Sequence, residues 1–249
     1  MTLFRNIVFA AALAGLIAGL FVTIVHSIGT VPIILKAETY EKAAETSAAP
    51  ATGADAATAE HHHEAEAWEP ANGFERTAFT VLADVLTGIG FGLLLTAAYA
   101  LRGQAMDWRQ GLFWGLAGFA TFTLAPGLGL PPEVPGTESA ALLDRQVWWV
   151  ATAVATAGGL ALIFLTRKVA LTVLGVGLIA LPHIYGAPQP AEYKSLVPEG
   201  LAHSFVVAVV VTSFLFWLLL GSLTGVFYRW LAGTSETRLA DRGQMDQHA

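Results

Sequence analysis

Seven histidines and nineteen acidic residues stand in a chain without cysteine. Any metal chemistry therefore rests on imidazole and carboxylate donors, a set that suits Co²⁺, Ni²⁺ and Zn²⁺ alike. Glu60, His61, His62, His63, Glu64 and Glu66 form one dense run of such donors. Adjacent imidazoles flanked by carboxylates capture a divalent cation weakly and in many geometries, which fits collecting an ion better than selecting one. Read without chemistry, the same run is a solvated polar tract. Glu133 lies within 126–136, a stretch of proline and glycine between two apolar segments. There the backbone leaves helical geometry and offers carbonyl oxygens beside a carboxylate, or else forms an external hairpin with a solvated acid. His183 follows Pro182 at the start of a second such turn, 182–190. A lone histidine is usually structural, but beside a short, interrupted apolar segment it becomes a ligand candidate. His26 ends the first apolar run, and Glu199 and His203 stand four apart, on one helix face. Asp84 is the only charge in the second run and shares a helix face with Thr80 and Gly88. An acid there serves function unless it reaches interfacial water.

The elements that carry these residues follow from composition. Apolar residues make up 55% of the chain and charged ones 13%, with a mean hydropathy of +0.58; soluble domains carry about 25% charge. The expected fold is an all-α integral membrane protein, a single domain forming a bundle of about six transmembrane helices near 7–28, 78–101, 111–130, 147–165, 169–185 and 205–230. The first run is longer than a signal-peptide core and lacks a small-x-small cleavage site after it, so it reads as an anchor. Small residues recur at Ala11, Gly15 and Gly19, at Gly111, Gly115 and Gly118, and at Gly221 and Gly225, for close helix contact. The run 169–181 before Pro182 covers only roughly 20 Å of a ~30 Å core, so it is broken, tilted or continued through the proline. A short interfacial helix is expected at 31–41, beginning after Pro32. A low-complexity loop follows at 42–72, and a polar tail at 231–249. Trp148 and Trp149 read as interfacial anchors, and Arg145 as a partner for Glu133 or Asp144. No P-loop sequence occurs. Energy for transport would come from a gradient or another subunit, and no nucleic-acid partner is expected.

An even number of spans puts both termini on one side. That side carries Arg5, Arg102, Arg109, Arg167, Lys168, Arg229, Arg238 and Arg242, eight of the thirteen basic residues, which favours cytoplasmic termini. The other face then holds six of the seven histidines, with Glu38, Glu133, Glu192 and Glu199. It is an acidic, imidazole-bearing surface that concentrates divalent cations. Both proline-rich turns open on it, and His26, Glu133 and His183 are expected to converge at one mouth.

Several stretches together resemble the cobalt transporter subunit CbtA family along nearly the whole chain. They are Ala11-Ala12-Leu13-Ala14-Gly15-Leu16, Ala37-Glu38-Thr39-Tyr40-Glu41, Leu86-Thr87-Gly88 with Gly90-Phe91, and Trp114-Gly115-Leu116-Ala117-Gly118-Phe119. To these belong Gly129-Leu130-Pro131-Pro132-Glu133, Arg145-Gln146-Val147-Trp148-Trp149 and Pro182-His183-Ile184-Tyr185-Gly186-Ala187-Pro188. The resemblance implies a cobalt importer of bacterial inner membranes that serves vitamin B12 synthesis with a small one-span, His-bearing partner, CbtB. It also implies about five spans, no enzymatic activity and no cofactor, Co²⁺ being the transported ion. The residue-level expectation is that His61, His62 and His63 collect the ion, Glu133, His183 and His26 strip part of its water, His203 assists, and Asp84 lies further along the path. A non-transporting scaffold or assembly subunit is the alternative, suggested by the small-residue faces. A membrane metalloenzyme is a weaker one, since no HExxH motif occurs.

Overall fold

The computed structural model describes residues 2–48, 70–104 and 106–245. Its helices are α1 (Thr2–Gly29), α2 (Val31–Ala48), α3 (Phe74–Arg102), α4 (Trp108–Phe119), a π-helical turn (Ala120–Leu124), α5 (Ala125–Gly129), α6 (Leu142–Leu165), α7 (Val169–Tyr185) and α8 (Glu199–Met245). Among the described residues five helical segments are long and apolar enough to cross a membrane: Leu3–Gly29, Phe74–Arg102, Trp108–Gly129, Leu142–Leu165 and Glu199–Gly233. The sixth expected span, Val169–Tyr185, is an apolar helix of 17 residues, about 25 Å long. It continues unbroken through Pro182. Two other segments are longer than the sequence implies. The short helix after Pro32 reaches Ala48, and α8 carries on into the polar tail as far as Met245.

The small residues explain which helices pair. A Cβ on Gly19 would fall 2.5 Å from Val85 Cα, and one on Gly221 would fall 2.7 Å from Gly115 Cα. Only glycine lets α1 lie against α3 and α4 against α8 at those distances, so backbone packing replaces the missing hydrophobic drive. Between the two pairs sits the main core: Ala14, Ala18 and Val22 of α1, Leu95 and Tyr99 of α3, Phe119 of α4, and Phe216, Trp217 and Leu220 of α8. The Tyr99 and Thr224 hydroxyls hydrogen-bond at 3.0 Å inside it. Buried threonines Thr96 and Thr152 return their hydroxyls to the carbonyl four residues back, which satisfies a polar group where water is absent.

The third apolar segment, Trp108–Gly129, is not one continuous α-helix. At the π turn the Ala125 N–H reaches the Ala120 carbonyl, five residues back. One extra residue is thereby inserted just before Pro126, which has no N–H to give and opens α5. Phe122 of the turn stacks on Trp217 at 5.7 Å with the planes 5° apart. Helices α6 and α7 pair separately. Trp148 is buried and donates Nε1–H to the Pro182 carbonyl at 3.2 Å. It pins α6 to α7 and does not act as an interfacial anchor; the proline's carbonyl also accepts the Gly186 N–H at 3.0 Å.

One end of the bundle is capped. Ala37 of α2, Val134, Val197 and Phe205 of α8 form a second buried cluster. An antiparallel bridge pairs Thr137 with Ser195, with Glu138 N–H on the Lys194 carbonyl at 2.9 Å and Leu196 N–H on the Gly136 carbonyl at 3.1 Å. The two proline-rich stretches, α2 and the start of α8 are therefore a single cap.

Candidate functional site

Close packing of α1 on α3 brings two of the candidate donors together. His26 Nδ1 lies 3.2 Å from Asp84 Oδ2, and the Thr23 hydroxyl donates to the same oxygen at 2.8 Å. Asp84 stands ten residues into α3, roughly 15 Å along it. Its side chain faces α1, as the placement of Thr80, Asp84 and Gly88 on one helix face implies, and is 15% exposed, against 31% for His26. An acid so placed is costly unless paired. Here a neutral hydroxyl and an imidazole satisfy it. The sequence assigns the two residues to different stages of a path; in the fold they form one group. Thr23 has no sequence signal of its own and is found only through this contact.

Glu133 meets a different environment. Arg145 Nη2 lies 3.2 Å from its Oε2, and Ser139 donates to that same oxygen. Of the two partners open to Arg145, the structure selects Glu133 and not Asp144. The pair borders a cavity of about 220 Å³ between the two proline-rich stretches, also lined by Thr137, Gln189, Tyr193, Glu199 and His203. Glu199 and His203 thus share a cavity with Glu133, as their spacing on α8 allows. His183 goes elsewhere: its ring packs edge-on against Trp148 at 5.8 Å. Expected convergence of His26, Glu133 and His183 is therefore not what the fold delivers. His26 pairs with Asp84, Glu133 with Arg145, and His183 with Trp148. No three His, Cys, Asp or Glu groups among the described residues are gathered to ligate one ion directly.

A family profile described as "Probable cobalt transporter subunit (CbtA)" matches residues 4–229. The chain belongs to the CbtA family. The match runs from the first turn of α1 to Arg229 in α8 and includes the whole cap and the His26–Asp84 pair. No curated protein matches the chain. No solved structure matches it either.

In this CbtA-family chain the base of the histidine-rich loop is fastened by a bidentate pair. Arg76 Nη2 lies 2.5 Å from Glu38 Oε1, and Nη1 donates to Oε2 at 3.3 Å. That guanidinium contact holds the Glu38 carboxyl below its ordinary value, against the opposing pull of partial burial. His61, His62 and His63 lie outside the described residues.

Proposed function

We propose that this chain is the membrane-spanning subunit of a Co²⁺ uptake system in the bacterial inner membrane, supplying cobalamin synthesis. Both termini lie in the cytoplasm, and the small His-bearing CbtB is its partner. The family match over 4–229 carries this reading; the imidazole–carboxylate pair in the α1–α3 seam gives it a ligand. In the proposed path the capped end faces outward, His61, His62 and His63 concentrate the ion, and His183 borders its route. His26 and Asp84 then take it as a pair. An imidazole and a carboxylate provide two donors, and water or a partner residue completes the coordination. The scaffold alternative has less support, because the small-residue faces that suggest it are used within the chain: Gly19 on α3, and Gly115 on α8.

The decisive experiment is Co²⁺ flux into proteoliposomes holding this chain alone, then with the small partner, with Ni²⁺ and Zn²⁺ as competitors. Flux in either preparation supports the transport reading; its absence from both would leave the scaffold. Flux needing the partner would place the remaining ligands at the interface between the two.

A further inference from the structure

The cavity between the proline-rich stretches combines three donors whose lone pairs are not committed. Ser139 and Arg145 both contact Oε2 of Glu133. Its Oε1, the exposed Glu199 carboxylate and the exposed His203 ring have no hydrogen-bond partner among the described residues, and all three side chains line the same solvent-open space. They are not gathered closely enough to ligate one ion directly. The space itself is large: at ~30 Å³ per water, 220 Å³ takes roughly seven waters, about the size of a divalent ion with its first shell. Two carboxylates face one guanidinium in this lining, and Glu199 offsets the positive start of α8.

We propose that this cavity receives the divalent cation with its water shell intact. Glu133, Glu199 and His203 accept hydrogen bonds from the ion's own waters, and Arg145 is a tethered cation with which the ion competes for Glu133. The inference deepens the transport reading and rests on it for the identity of the ion. It assigns two successive stations with different chemistry: recognition through the shell at the cap, then ligation by His26 and Asp84 in the seam. Arg145 makes the first station self-filling, since a carboxylate that would otherwise face an empty cavity keeps a counter-charge.

Hexaamminecobalt(III) tests this directly, because its ligands do not exchange and it binds only through N–H groups on its shell. Purified full-length protein in detergent is expected to bind it in competition with Co²⁺. Glu199→Gln with His203→Gln should weaken that binding by about tenfold, and Arg145→Gln should strengthen it by about tenfold while Glu133 is present. In the Glu133→Gln background, Arg145→Gln should give a clearly smaller gain, the part left once through-space repulsion alone is relieved. No hexaammine binding by the wild type, or an Arg145→Gln gain undiminished without Glu133, would overturn the proposal. If Arg145→Gln unfolds the turn, Glu199→Gln alone still decides: it leaves the ion pair intact, and unchanged hexaammine binding refutes the role of the cavity. Failure here separates from failure of the transport reading. Co²⁺ flux without hexaammine binding removes the cavity and leaves transport standing; variant-sensitive binding without flux does the reverse.

Discussion

Asp84 and Glu133 are both partly buried acids near the capped end, and they differ in what holds them. Asp84 is 15% exposed and accepts from a threonine hydroxyl and an imidazole; Glu133 is 25% exposed and faces a guanidinium. An imidazole is a metal ligand in its neutral form and can stay beside the carboxylate when an ion arrives. A guanidinium is permanently charged and never a ligand, so it opposes the ion at its own carboxylate. On the proposed path, the seam therefore takes the ligating step and the cap the weaker, reversible recognition. The same pair of residue types, an acid and a base, thus does different work according to whether the base can give up its proton.

The largest expected effect tests that contrast. Asp84→Asn and His26→Ala should each lower Co²⁺ uptake by about 10–100-fold, the usual range for a disturbed metal site, while Glu133→Gln costs less than about tenfold. Equal losses in cellular ⁵⁷Co accumulation would erase the distinction between seam and cap. Next comes the packing that makes the pair. Gly19→Leu places a side chain where a Cβ already falls 2.5 Å from Val85 Cα, so it should cost about 1–3 kcal/mol and depress uptake with Asp84 intact. Gly90→Leu, with nothing within 4 Å of its Cβ, should be near neutral in thermal unfolding in detergent.

A smaller pair of effects separates committed from uncommitted hydroxyls. Thr156 Oγ1 is buried without a hydrogen-bond partner among the described residues. Thr156→Val should therefore stabilise by about 1 kcal/mol, whereas Thr23→Val, which removes a donor from Asp84, should destabilise; thermal melts of both variants check the sign. The smallest effect lies at the surface pair. The Glu38 carboxyl is held below 4.5 by Arg76, so its contribution is complete above about pH 4.5 and fades as pH falls through the lower folded-state value. Glu38→Gln should remove that acid dependence, worth less than about 1 kcal/mol for a pair so close to solvent. A melting profile between pH 3 and 6 that keeps its slope in the variant would assign the effect to another group.

Much of this was legible before the fold. Apolar runs gave the spans, the i, i+4 spacing aimed Asp84 inward, and Arg145 was readable as a partner of Glu133. His26 and Asp84 were each visible as candidates, but not as a pair. They stand 58 residues apart across a low-complexity loop, and the close α1–α3 contacts at Gly15, Gly19, Gly88 and Gly92 set their register. Trp148 looked like an anchor because indoles near a span end usually are; the Pro182 carbonyl near the end of α7, which accepts from both Gly186 N–H and the indole, gives it a buried partner. Helix α2 outruns its expected end because alanine and glutamate propagate a helix whose first turns are fixed by the cap. The π turn had no signal at all, since hydropathy does not register one extra residue within an apolar run.

That extra residue has a rotational consequence. An α-helix advances by about 100° per residue, so the surplus at Ala120–Leu124 sets the azimuth of everything after it. Delete one residue there and α5 would leave the bundle about a quarter-turn out of phase, swinging Glu133 away from Glu199 and His203. The direction in which the acidic mouth opens is thus fixed by a phase offset deep in a span, among aromatic rings that never touch the mouth.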